Sequence, residues 1–259
     1  MPQHSAPFTI GFPFIELPSV DSTNNYAMAK VHEGLAQPGM AIMAHDQTAG
    51  KGQRGKIWEA GKNQNINLSI VIRPAGLLIA NQFALSAAVA MAVHKFFAKY
   101  AGLEDTRIKW PNDIYWRDRK AAGILIDNVL SPATSNGLAD WKWSVIGIGI
   151  NINTAFFPAH LQHAVSLKQI TGKAFDITSL ARELCNVLDE KIHFLLDHSS
   201  ASIIDQYNQV LYKKDQPVKL KKHNRVFEAI IKRVTVNGQL IIHHALEETI
   251  DFGEVEWLI

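Results

Sequence analysis

The chain has 259 residues, 47% of them hydrophobic, and 26 Lys and Arg against 24 Asp and Glu, a formal charge of +2. That suffices for one large α/β unit plus a small one, and is too balanced for a protein that sheathes nucleic acid over its whole surface. A single cysteine, Cys185, excludes an internal disulfide, and with no signal segment and no run of about eighteen apolar residues the expected setting is cytoplasmic, away from membranes.

Phe12 to Leu17 predicts an opening strand. Asp21-Ser22-Thr23-Asn24 then offers helix-capping side chains before Tyr26 to Glu33, and Gly34 stops that helix. The same hydroxyl and amide groups also suit a ligand. Gly39 to Ala44 is an apolar strand that delivers Asp46, Gln47 and the segment Ala49 to Trp58, AGKGQRGKIW. Gly50, Gly52 and Gly55 interleaved with Lys51, Arg54 and Lys56 suit a loop that wraps an anion, with a basic surface loop as the lesser alternative. The spacing is neither that of a Walker loop nor that of a dinucleotide-binding turn.

Asn65 to Arg73 alternates with a period of two, which predicts a strand with one face buried. Asn81 to Tyr100 has helical apolar spacing and stops at Gly102, with His94 expected on its polar face. The run Arg107 to Trp116 contains Lys109-Trp110-Pro111-Asn112-Asp113, a strand interrupted by a rigid turn. Arg117-Asp118-Arg119 predicts a hairpin, and Lys120 then leads a strand through Gly123 to Leu130, its amine free to reach solvent or a buried anion. After a polar loop with Pro132 and Asn136-Gly137, Trp141 to Ile150 forms another strand whose Gly147 and Gly149 invite a close neighbour, side chain or ligand. Ser166 to Thr171, Ile177 to His198 and Ala201 to Tyr212 predict helices. From Lys213 the pattern changes to short strands, with Asn237-Gly238 as a hairpin signal, giving a division into 1–212 and 213–259. The cations of this last part fit a solvated face better than an RNA surface, since interleaved aromatics are lacking. His243-His244 has no companion ligands, and no residue is assigned to a metal.

Four features recur in order: Ser22-Thr23-Asn24 before a helix, the glycine-rich loop ending in Trp58, Lys109 to Asp113 followed by Arg119 to Leu125, and Gly147 to Asn151. Over nearly its whole length the chain thereby resembles the biotin–protein ligases. The resemblance implies an α+β fold, a mixed sheet with flanking helices of class II synthetase type, plus a small C-terminal SH3-like barrel. It implies that biotin and ATP, with Mg²⁺, give biotinyl-5'-adenylate, and that a lysine of a biotin carboxyl carrier domain accepts the biotinyl group. By position, Ser22, Thr23, Asn24 and Gln47 match the biotin site, with Gly123 beside the ring. Gly50, Lys51, Gly52, Gln53, Arg54 and Gly55 match the closing loop and Trp58 the nucleotide side. Lys120 matches the lysine at the carboxylate and α-phosphate, and Asn112 and Asn151 match the ATP and metal region. Lys120, Lys51 and Arg54 are the expected neutralising cations. The family loop, GRGRxGRxW, has arginines where this chain has Lys51 and Gln53. The start of the chain predicts no N-terminal DNA-binding unit, hence an enzyme that does not bind DNA, with a homodimer left open. The alternatives are a lipoate–protein ligase-like acyltransferase and a non-enzymatic biotin-sensing or RNA-binding module.

Overall fold

The computed structural model describes residues 8–132 and 140–258; the expected Asn136-Gly137 turn lies outside them. Seven strands, β1 (Phe14–Leu17), β2 (Ala41–Ala44), β3 (Ile66–Ile72), β4 (Thr106–Lys109), β5 (Asp113–Trp116), β6 (Arg119–Leu130) and β7 (Trp141–Ile150), form one sheet. Their order is β1-β2-β3-β7-β6-β5-β4. β1 and β2 pair in parallel and every other neighbour is antiparallel, so the sheet is mixed as expected.

One face of this sheet carries the main core. Ile66, Leu68, Ile70 and Ile72 of β3 point into it, against α4 (Ile177–Asp197), while α2 (Gln82–Ala101) packs over β4, β5 and β6. α2 is rich in alanine and interrupted by neither Gly nor Pro, and it ends at Gly102, whose φ of 94° a side chain would resist. α4 begins at Asp176, whose carboxylate accepts from the Ser179 amide at 2.7 Å, and α3 (Leu167–Thr171) begins with a reciprocal capping box between Ser166 and Gln169. α5 (Ser200–Gln209) also packs on α2.

The opposite face is covered in part by α1 (Thr23–His32), over a smaller core of Ala27, Met40, Ile42, Val71 and Val145. Two expectations change here. β3 is buried on both faces, because α1 and the Trp58 indole cover the side predicted to be open. His94 is 3% exposed, inside the main core, where a ring nitrogen lies 3.0 Å from the Thr106 carbonyl and burial lowers its pKa. Its helix has core on nearly every side, so a polar residue has no wet face to occupy.

The C-terminal strands β8 (Pro217–Lys222), β9 (Arg225–Val234), β10 (Leu240–His244), β11 (Leu246–Ile250) and β12 (Glu256–Leu258) form a five-stranded antiparallel sheet in the order β11-β10-β9-β8-β12. It is consistent with an SH3-like unit, but its two edge strands are not paired with each other, so the barrel is open. β12 was not anticipated: three residues are too few to show a period. Lys222 pairs with Glu248 and Glu254, Lys232 with Asp215 and Arg233 with Glu247, so these cations are tied to neighbouring carboxylates.

Candidate functional site

The side of the large sheet that α1 leaves uncovered forms the floor of a cavity of about 930 Å³. Strand register aligns Asn67 of β3, Gly149 of β7, Gly123 of β6, Asp113 of β5 and Lys109 of β4 in one row across that floor. All five line the cavity, as do Gly147 and Leu125 of the next row. The two glycines of β7 have a clear physical reason. A Cβ at 149 would overlap the Trp58 indole, and one at 147 would overlap the Asn24 amide. Trp58 also donates from Nε1 to Asn67 Oδ1 at 3.1 Å. The close neighbours are side chains that themselves line the cavity.

At one end of the row lies a neutral polar cluster. Ser22 occupies the N-cap of α1 without capping it, so the capping role open to this cluster is not used. Thr23 donates from its backbone N–H (2.8 Å) and from Oγ1 (3.1 Å) to Gln47 Oε1. Ser69 Oγ lies 2.8 Å from Thr23 Oγ1 and 2.6 Å from Asn24 Oδ1, and Asn24 Nδ2 donates to Asp127 at 3.0 Å. Ser22, Thr23 and Asn24 are all at least 96% buried. A buried, uncharged, interlinked set of donors and acceptors with fixed geometry is suited to a neutral polar head group.

At the other end the cavity is charged. Lys120 Nζ lies 2.7 Å from Asp113 Oδ1, beside Gly123, with the lysine side chain about one-third exposed. Lys109 donates to the Tyr115 hydroxyl at 3.2 Å and sits over the rings of Tyr115 and Trp257, 4.8 and 5.4 Å from their centres. Burial lowers the Lys109 pKa to about 8; Asp113 opposes that shift while the Lys120 and Lys56 charges add to it. Two amines against one carboxylate leave a positive excess. Asn112 Nδ2 donates to the Ile124 carbonyl, and the buried Asn151 anchors its backbone on Ala121.

The glycine-rich segment folds over this cavity as a small hairpin, with Lys51 bridged to Ile57 and backbone bonds from Gly52 to Lys56 and from Trp58 to Gly50. Gly50 is required there, since a Cβ would strike the Trp58 carbonyl. Gln53 faces inward, 3.4 Å from the Ile124 carbonyl, and Lys51 Nζ reaches Asn25. Arg54 has φ 57° and turns its guanidinium onto the carbonyls of Gly253 (3.1 Å) and Phe252 (3.4 Å). Of the anticipated residues, Gly50 and Gly55 shape the loop without lining the cavity; Ser22, Thr23, Asn24, Gln47, Lys51, Gly52, Gln53, Arg54, Trp58, Asn112, Lys120, Gly123 and Asn151 all line it. Sequence reasoning passed over Lys109 and Asp113, although they flank the Trp-Pro-Asn it singled out. It also passed over Asn67 and Ser69, the polar half of the β3 alternation.

Residues 16–151 match the Biotin/lipoate A/B protein ligase family. The chain belongs to that family. Within the family's range of relatives, the bifunctional ligase/repressor BirA of Salmonella typhimurium is 28% identical over 232 residues, 87% of this chain and 68% of the relative. The biotin–[acetyl-CoA-carboxylase] ligase of Paracoccus denitrificans is 34% identical over 166 residues, 62% of this chain and 65% of the relative. Among solved structures, the biotin protein ligase of Aquifex aeolicus in complex with biotin and ATP superposes with a TM-score of 0.77 at 23% identity, covering 95% of this chain and 98% of that one. This last likeness carries the fold of the family across 95% of this chain, and so over most of the C-terminal sheet as well.

Proposed function

We propose that this chain is a biotin–protein ligase that activates biotin with ATP to biotinyl-5'-adenylate and transfers the biotinyl group to a lysine of a biotin carboxyl carrier domain. The observation that carries the reading is the polarity of this cavity: a neutral hydrogen-bonding end built by Ser22, Thr23, Asn24 and Gln47, and a cationic end built by Lys109 and Lys120. A ureido ring needs the first and a carboxylate meeting a triphosphate needs the second.

In the first step a carboxylate oxygen of biotin attacks the α-phosphorus, the bond to the bridging oxygen breaks, and pyrophosphate leaves. Both reactants are anions, so the Lys120 ammonium lowers their mutual repulsion and stabilises the charge that develops at phosphorus. Asp113 holds that ammonium in place at 2.7 Å. In the second step the neutral carrier amine attacks the acyl carbon, the bond from that carbon to the phosphate oxygen breaks, AMP leaves with the electron pair, and the amine's proton passes to solvent. The hairpin over the cavity keeps water from the mixed anhydride until then. Mg²⁺ fits this site as a companion of ATP: among the described residues no three acidic or His/Cys side chains form a cage, while Asp113 with Asn112 and Asn151 supplies the one carboxylate and few amides such an ion takes when phosphates and water complete its shell. When bound it adds charge neutralisation to that of the lysines.

Exchange of labelled pyrophosphate into ATP tests the reading: it should require biotin and fail with lipoate. Exchange with lipoate alone would assign the chain to the other branch of its family, and exchange with neither acid would remove the enzymatic reading.

A further inference from the structure

We propose that Arg54 is a positioning residue, a latch that holds the glycine-rich hairpin closed by seating its guanidinium on the Phe252–Gly253 turn of the C-terminal sheet. The charge of Arg54 invites a role at the phosphate, but its fork is already used elsewhere. Nη1 donates to the Gly253 carbonyl at 3.1 Å and Nη2 lies 3.4 Å from that of Phe252, while the guanidinium carbon stands 4.9 Å from the centre of the Phe252 ring. Forked donation to two carbonyls from a position over an aromatic ring suits a guanidinium better than an ammonium.

The seat is shaped for this side chain. Gly253 has φ 86°, and a Cβ there would overlap the Arg54 guanidinium, so the turn leaves its one open side to the loop. The seat is also rigid. The Glu254 amide donates to the Asp251 carbonyl at 3.1 Å, the Asp251 amide to the Glu254 carboxylate at 3.2 Å, and Gln239 Nε2 to Asp251 at 2.9 Å. The Phe252 ring stands edge-on to Trp110, 6.1 Å between centres, and Trp110 Nε1 donates to the Gly238 carbonyl at 2.9 Å. A contact between residues 198 or more positions apart in the chain thus joins the tip of the hairpin to a braced turn. On the loop side, Arg54 stands between Gln53, which faces the cavity, and Gly55, so fixing its guanidinium fixes the hairpin over the floor. The C-terminal sheet thereby sets how long the loop stays shut. The consequence for adenylate retention rests on the ligase reading above; the latch itself does not.

The test compares the full chain with Arg54→Lys, Phe252→Ala, Gly253→Ala and the double variant Arg54→Lys/Gly253→Ala. Tryptic cleavage between Lys51 and Lys56 is followed without ligand, and dissociation of biotinyl-5'-adenylate is followed separately. Each single variant should raise loop cleavage and adenylate dissociation by about three- to tenfold, the loss expected for a forked, partly solvated charge-assisted contact. The double variant should be no worse than the worse single one, because both changes remove the same contact. Additive effects in the double variant, or unchanged cleavage in Gly253→Ala and Phe252→Ala, would overturn the latch. Unchanged melting temperatures in Arg54→Lys and Phe252→Ala separate latch loss from unfolding, whereas Gly253→Ala, strained at φ 86°, should melt lower. If the wild-type chain forms no adenylate, the ligase reading fails while the cleavage arm still decides the latch.

Discussion

Lys109 on β4 and Lys120 on β6 sit on the cavity floor with β5 between them, and they do different work. Lys120 is held by a close carboxylate partner, Asp113 at 2.7 Å, where it can face a developing oxyanion. Lys120→Ala should leave the melting temperature nearly unchanged and slow adenylate formation by about 10²- to 10³-fold, the loss usual for one preorganised electrostatic contact; near-normal exchange would remove it from the chemistry. Lys109 is desolvated and its pKa is lowered to about 8. Between that value and the usual 10.5 the unfolded chain holds a proton that the folded chain has released, so stability from this group rises with pH across that window. Anion binding works in the opposite direction, because a phosphate favours the protonated amine. ATP binding should therefore take up protons and weaken as pH rises from about 7 to about 9, and Lys109→Met should flatten that dependence. Calorimetric titration in two buffers of different ionisation heat reads the proton uptake directly; a wild-type profile as flat as that of the variant would exclude Lys109 from the phosphate end.

The elements show which parts of this arrangement local sequence carries. The alternation of β3 was legible, and so was its apolar set Ile66, Leu68, Ile70 and Ile72. The environment of its other face was not, because whether Asn67 and Ser69 meet water or a ligand depends on α1 and on a loop that closes from elsewhere. The same limit applies to the row Asn67, Gly149, Gly123, Asp113 and Lys109, which exists only through register among five strands scattered over the chain. His94 was misplaced because a helix covered on nearly all sides gives a periodic pattern no polar face to mark. Gly147 and Gly149 signalled a close neighbour without naming it; the neighbours are Asn24 and Trp58. Gly149→Ala should push the Trp58 indole off the floor, costing about 1 to 3 kcal/mol as overpacking does and weakening nucleotide binding. A shift in indole emission and a lower melting temperature should accompany it; unchanged emission with unchanged affinity would mean that Trp58 does not need this seat.

At the scale of the whole molecule, the change of pattern at Lys213 divides the sequence more sharply than the packing divides the structure. We propose that 1–212 and 213–259 are covalent neighbours that unfold as one thermodynamic unit. A unit of about 45 residues buries too little surface to be stable alone without disulfides or metal. Its buried side chains Leu220, Ile231, Leu240, Ile242 and Ile250 are continuous with the core beneath the large sheet. The joint is specific as well as apolar. Val234 and Asn208 exchange two hydrogen bonds at 2.7 and 2.9 Å, the Trp110 indole donates to Gly238, and the Phe83 ring packs where a Cβ on Gly238 would stand. Removing 213–259 would expose Phe83 and Trp110 and leave Lys109 without the Trp257 ring above it. Scanning calorimetry of the full chain should therefore give one transition, with calorimetric and van't Hoff enthalpies in agreement. Gly238→Ala, which forces a side chain into the Phe83 ring at a backbone angle of φ 85°, should lower that single transition without splitting it. Two resolved transitions in the full chain, or a chain ending at Tyr212 that melts cooperatively at the same temperature, would show that the C-terminal sheet is an independent module whose contacts with the cavity are incidental to stability.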